Sequence, residues 1–302
     1  MEVAKRHLGR TAGSQQSGES DRWVPKKWHS TVASPLNLRP SQLKLAPVMQ
    51  HVVFNQKGGV GKSTITCNLA AISAWQGLRT LVIDLDSQGN STRYLLGADA
   101  PDDLPNVAEF FDQSLKFTIR DKPPGDFIVN TQWEGLDLMA SNPLLDELHG
   151  KLESRHKIYK LRDALVALAD DYDQIYIDTP PALNFYTRSA LMAAQGCLIP
   201  FDCDDFSRRA LYTLLENVQE IKADHNAELR VEGIIVNQFQ PRANLPQRLV
   251  QELIDEGLPV LQPYLSSSVK IRESHEQSLP MIFLEPNHKL TLEFVALHDA
   301  LL

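Results

Sequence analysis

The chain has 302 residues, 43% of them hydrophobic, enough for one large core; two are possible but not required. Its formal charge of −8 is uneven: residues 1–50 carry eight Lys/Arg against three Asp/Glu, which leaves 22 basic against 35 acidic residues in the remainder and disfavours wholesale capture of nucleic acid by the body. No run approaches the roughly 18 apolar residues of a membrane span, no signal peptide opens the chain, and Cys67, Cys197 and Cys203 form no C-x-x-C pair, which fits a reducing cytoplasm and three small core residues rather than an iron–sulfur or zinc site.

Residues 1–48 are rich in Ser, Gln, Gly, Pro and basic residues, with no sustained period, and read as a disordered extension ahead of a single domain over 49–302. Trp23 and Trp28 stand among Arg22, Lys26 and Lys27, an alternative reading being a stacking or docking element. Met49, two residues before the first apolar run, is an alternative start.

That run, His51-Val52-Val53-Phe54, leads into Asn55-Gln56-Lys57-Gly58-Gly59-Val60-Gly61-Lys62-Ser63-Thr64 and then into a helical pattern carried by Ile65, Leu69 and Ile72. Strand, glycine loop and helix are the setting of a phosphate-binding loop. Glycines let backbone N–H groups turn around an anion, and the helix N-terminus favours negative charge. Gly58, Gly59, Val60, Gly61, Lys62, Ser63 and Thr64 are the candidate nucleotide contacts, with Lys62 on the β- and γ-phosphates and the Ser63 hydroxyl on Mg²⁺.

Residues 81–83 read as a buried parallel strand ending in Asp84-Leu85-Asp86-Ser87-Gln88-Gly89-Asn90, carboxylates placed where a doubly wound sheet holds its ligands. Amphipathic pieces follow at 107–115, 136–140 (strand) and 144–152 (helix), then a covering helix over 157–168. A second buried strand ends in Asp178-Thr179-Pro180-Pro181, where the prolines force a turn. Its aspartate reads as a Walker B carboxylate holding Mg²⁺ through water. A helix (186–194), a strand (197–201), a long helix (208–223), a strand (231–236), a helix (245–256), a short strand (260–265) and a closing helix (289–302) complete the pattern. Strands alternating with helices predict an α/β fold, a doubly wound, mostly parallel sheet with helices on both faces.

A standard loop reads G-x-x-x-x-G-K-S/T, and its first glycine would fall on Gln56; Lys57 instead opens K-G-G-V-G-K-S. This deviant Walker A pattern, D-L-D-S-Q-G-N-S-T and D-T-P-P together resemble the ParA/MinD family of ATPases over roughly residues 49–280. The resemblance implies ATP and Mg²⁺ as ligands and an ATP-bound homodimer. In it Lys57 crosses to the partner's nucleotide, Asp86 orients the attacking water, Asp84 supports the Mg²⁺ region with Ser63 and Asp178, and Asn237 at a strand end contacts adenine. Lys57, Lys62 and Asp86 are then the catalytic set, with slow hydrolysis accelerated by an activating partner, ParB-like or a cargo adaptor.

The resemblance also places a nonspecific DNA surface on Lys270, with Arg272 nearby and Arg242 and Arg248 as extensions. Glu273 and Glu276 lie close enough to make the same segment a salt-bridged solvated face. D-L-D-S-Q-G-N favours ParA over MinD, although Ser87 replaces the family's proline and no N-terminal helix-turn-helix is evident. A cytoplasmic, DNA-anchored ATPase that positions or segregates DNA or protein cargo is the leading expectation. The alternatives are a MinD-like membrane-cycling regulator and an ATP-dependent metabolic enzyme. The last helix carries Lys289 and His298 as its basic residues, too few for a membrane-surface helix.

Overall fold

The computed structural model describes residues 48–101, 103–117, 120–204 and 207–302, with the side chain of Ser207 left aside. The expected extension over residues 1–48, with Trp23 and Trp28, lies outside the described residues except for Val48. Among the described residues, seven strands form one sheet: β1 (Met49–Val53), β2 (Thr80–Asp84), β3 (Val129–Asn130), β4 (Leu136–Met139), β5 (Gln174–Asp178), β6 (Gly196–Asp202) and β7 (Arg230–Asn237). Their order is β3-β4-β2-β5-β1-β6-β7, and every pairing is parallel except the β3–β4 edge. β2 and β5 are buried along their whole length, which is why they read as continuous apolar runs rather than alternating ones.

Among the described residues, eleven α-helices connect and cover these strands: α1 (Lys62–Trp75), α2 (Asn90–Leu96), α3 (Val107–Gln113), α4 (Leu145–Ser154), α5 (Lys160–Ala167), α6 (Phe185–Ala193), α7 (Ser207–Asp224), α8 (Asn244–Asp255), α9 (Lys270–Glu276), α10 (Met281–Leu284) and α11 (Lys289–Asp299). Two hydrophobic clusters mark the two faces of the sheet. One gathers Phe111, Leu161, Leu191, Leu214 and Leu253 from α3 and α5–α8; the other gathers Ile65, Leu69, Tyr94, Met281, Leu290 and Phe294 from α1, α2, α10 and α11. β1 runs between β5 and β6, and the chain leaves it in one direction for β2 and later passes it in the other for β6. That reversal is the switch point at which a doubly wound sheet opens a crevice beyond its strand ends, and the glycine loop sits there.

Two expectations are corrected. Residues 260–265 form no continuous strand: Val260 bridges Ile234, Ser266 bridges Phe239, and Pro263 has no N–H to extend a ladder. Cys67 and Cys197 are core residues, whereas Cys203 is only half-buried at the core's edge. Among the described residues no helix is long and apolar enough to cross a membrane.

Candidate functional site

The loop from Asn55 to Gly61 is held from both sides. Asn55 donates through Nδ2 to the Pro200 carbonyl at 2.7 Å and accepts the Lys57 N–H at 2.9 Å, fixing the exit from β1. At the other end Gly61 has φ +94°, a left-handed conformation that side chains rarely adopt, and an added Cβ would lie 2.3 Å from Asn237 Nδ2. That same Nδ2 donates to the Val60 carbonyl at 2.9 Å. The end of β7 therefore braces the loop, and a side chain at position 61 would have to displace the Asn237 amide.

The loop bounds a cavity of about 600 Å³ lined on one side by Gly58, Gly59, Gly61, Lys62, Ser63 and Thr64. Across from them stand Asp86, Gln88, Asn90, Arg93 and Tyr94 from the β2–α2 segment, Pro181, and His275 from α9. At 7% exposure Lys62 points along the loop, its Nζ donating to the Lys57 carbonyl at 3.1 Å. Burial lowers its pKa, and the charges of Asp178 and Asp86 oppose that shift. Asp86 reaches the same cavity; its Oδ1 accepts the Gln88 N–H at 3.1 Å and its carbonyl accepts from Gly89 at 2.8 Å, a tight turn that presents the carboxylate.

Asp84 and Asp178 are opposite one another in the β2–β5 register and both are fully buried. Burial pushes both carboxyls up; Asp178 adds to the effect on Asp84, while Ser63, Ser91 and Lys62 restrain Asp178. Their roles diverge. Asp84 Oδ2 accepts from the Thr92 N–H and hydroxyl, each at 2.8 Å, and Oδ1 from the Asp86 N–H at 3.2 Å. It fastens the carboxylate loop from behind and does not line the cavity. Asp178 accepts from the Ser91 hydroxyl at 2.7 Å through Oδ2, whereas its buried Oδ1 has no hydrogen-bond partner among the described residues. Thr179 pins the following turn by donating to the Val53 carbonyl at 2.8 Å.

Lys57 lies apart from the other loop residues. Its ammonium bonds Asp202 at 2.8 Å and also Asp204, both at the end of β6, with 35% of the side chain exposed. Burial works against its charge, and the two carboxylates overcome that and raise its pKa. The residues that sequence reasoning missed are this carboxylate pair and the wall formed by Arg93, Tyr94 and His275. His275 Nε2 meets Thr64 Oγ1 at 3.0 Å across 211 residues of sequence, a contact without local signal. Arg93 and Tyr94 lie on α2, whose seven residues begin at the end of the D-L-D-S-Q-G-N stretch and are too few to show a period.

The expected DNA-contact residues lie on α9. Lys270 is paired with Glu273 at 2.8 Å and Glu285 at 3.4 Å, the salt-bridged alternative, while Arg272 is exposed. Arg248 lies 3.7 Å from Glu252.

A family model for the AAA domain matches residues 49–231. The chromosome partitioning protein ParA of Myxococcus xanthus is 32% identical over 249 residues, covering 81% of this chain and 84% of that protein. The sporulation initiation inhibitor protein Soj of Bacillus subtilis is 30% identical over 239 residues, covering 78% and 91%. Among solved structures, cobyrinic acid a,c-diamide synthase from Mycobacterium smegmatis with a bound ATP analog and magnesium superposes with a TM-score of 0.71 at 28% identity, over 84% of this chain and 94% of that one. On these matches the chain, with its glycine loop between β1 and α1 and its carboxylates at the ends of β2 and β5, belongs to the ParA/MinD family of P-loop ATPases.

Proposed function

We propose that the protein is an ATP-switched dimeric ATPase of the ParA type, which binds DNA nonspecifically when ATP-bound and releases it after partner-stimulated hydrolysis. The observation that carries the reading is the convergence of Lys62, Ser63, Asp86 and the loop glycines on one cavity of about 600 Å³, large enough for a nucleotide. The solved relative's ATP analog and magnesium support the choice of ligand. The residues present also fit Mg²⁺. Asp178 Oδ1 is buried with a free acceptor position, and Ser63 approaches the same carboxyl. Among the described residues no cluster of three His, Cys, Asp or Glu gathers, which suits a cation that takes its other ligands from phosphate and water.

In this reading the backbone N–H groups of residues 58–64 and the N-terminus of α1 bind the phosphates. Lys62 neutralises charge developing on the transferred phosphoryl group, and Asp86 orients the attacking water. Ser63 and Asp178 would hold Mg²⁺, which would supply further neutralisation of negative charge on the phosphates. Asp84 acts through the loop it fastens, and Asn237 contributes to the adenine side from its place beside Val60. Lys57 leaves Asp202 and Asp204 to reach the partner subunit's nucleotide. Lys270 and Arg272 supply the DNA-facing charge, an activating ParB-like or adaptor protein the stimulus, and the cytoplasm the setting.

Steady-state phosphate release by wild type and Lys62→Ala, with and without Mg²⁺, tests the site. Loss of hydrolysis in the variant and without the metal is expected; full activity in Lys62→Ala refutes the assignment.

A second reading, a small-molecule synthase, is favoured by the likeness to the M. smegmatis enzyme. The ParA and Soj relatives, with higher identity over most of the chain, support the first.

A further inference from the structure

α9 joins two features that are far apart in sequence. It carries Lys270 and Arg272, and one turn later His275 lines the nucleotide cavity while its neighbour Ser274 is fully buried. Two separate connections run from there to the first turns of α1. One is His275 Nε2 with Thr64 Oγ1 at 3.0 Å. The other is buried: Ser274 Oγ bonds the Tyr94 hydroxyl, which accepts from Asn68 Nδ2 at 3.2 Å, and Asn68 Nδ2 also donates to the Thr64 carbonyl at 2.8 Å. Asn68 Oδ1 accepts the Met281 N–H at 2.8 Å, which fixes the start of α10 to the same residue. Edge-on packing of Tyr94 and His275, with ring centroids 4.6 Å apart, ties the two connections together. Asn68 and Ser274 are fully buried, so this network has one well-satisfied arrangement and resists partial rearrangement.

The exposed member, His275, is the one that a ligand reaches. Thr64 belongs to the first turn of α1, where N–H and hydroxyl groups face an anion at the helix N-terminus. Phosphate oxygens only accept hydrogen bonds, and an imidazole with its proton on Nε2 donates one from the position His275 occupies.

We propose that His275 is a nucleotide-sensing residue: it exchanges its Thr64 contact for a phosphate oxygen of a bound nucleoside triphosphate, and α9 takes its position from that exchange. The inference rests on the reading of the cavity as an ATP site and adds the residue through which occupancy reaches the basic segment. Lys270, held between Glu273 and Glu285 at the other end of α9, is where a shift of this short helix changes the charge presented outward.

Hydrogen exchange by mass spectrometry on the full chain, with and without saturating Mg-ATPγS, tests this in wild type, His275→Ala and His275→Gln. In wild type, nucleotide slows exchange in both residues 55–68 and residues 268–279. In His275→Ala the loop stays protected but the α9 protection is lost, and nucleotide affinity falls about tenfold, the loss of one hydrogen bond to a charged group. His275→Gln, whose amide keeps a donor, restores both. An α9 segment indifferent to nucleotide in wild type while the loop is protected overturns the inference and leaves the ATP site standing, as does protection of α9 retained in His275→Ala. A loop that nucleotide does not protect in wild type overturns the reading of the cavity itself, and the inference with it.

Discussion

Replacing Gly61 by alanine tests whether β7 braces the phosphate loop. At φ +94° a side-chain-bearing residue carries a backbone cost of about 1–2 kcal/mol. The new Cβ, 2.3 Å from Asn237 Nδ2, also forces that amide off the Val60 carbonyl, a further loss of about 1 kcal/mol. The expected destabilisation is therefore about 2–3 kcal/mol, read as a shift in the urea midpoint without change in slope. Asn237→Ala alone loses only the hydrogen bond, about 1 kcal/mol. Because the two changes remove the same bond, the double variant should be less destabilised than the sum of the singles, by about 1 kcal/mol. Gly61→Ala within about 0.5 kcal/mol of wild type, or strict additivity with Asn237→Ala, refutes the brace.

Three further outcomes follow from the same geometry. Asp204→Asn weakens a partly exposed ion pair and should change stability by less than about 1 kcal/mol; by releasing Lys57 it should lower the protein concentration at which ATP produces dimers in sedimentation velocity, and an unchanged dimerisation midpoint counts against the exchange of partners. Lys57→Ala should keep nucleotide affinity near wild type while losing both the ATP-bound dimer and hydrolysis; retained hydrolysis would remove Lys57 from the reaction. His298 is fully buried and bonded to Ser73 at 2.7 Å, and burial pulls its pKa from 6.5 down to about 4. The unfolded chain therefore binds a proton first as pH falls, so wild type should lose stability relative to His298→Asn below about pH 6.5, by up to about 1.4 kcal/mol per unit down to about pH 4; the raised carboxyls of Asp84 and Asp178 act in the opposite sense in both proteins and cancel in the difference.

Much of the fold was legible because its strands are buried on both faces. The apolar runs ending in Asp84 and Asp178, each fully buried, have no other economical placement than the centre of a parallel sheet. The glycine loop was legible for a local reason: Gly61 must take a left-handed turn immediately before α1, and its neighbours Lys62 and Ser63 carry the chemistry. What escaped was either too short or too distant. β3 has two residues and runs antiparallel at the sheet edge, below the length at which alternation can be read. α2 begins inside a motif, and its Arg93 and Tyr94 acquire meaning only when α9 is brought against them. Asp202 and Asp204 follow the apolar run 197–201 with no local signal of their own, and the fold shows Lys57 bonded to both. The apolar residues of 260–265 suggested a strand, but two bridges to β7 and its following turn replace the ladder.

In the proposed function ATP switches this chain between a DNA-free and a DNA-bound state. The direct test is DNA binding by Asp86→Ala with ATP, ADP or no nucleotide across a salt series, since loss of the water-orienting carboxylate should hold the ATP-bound dimer. Binding is expected with ATP alone, falling log-linearly as salt rises. Dimerisation with ATP but no DNA binding at any salt concentration contradicts it, and moves the surface on which the switch acts to a membrane or a protein partner.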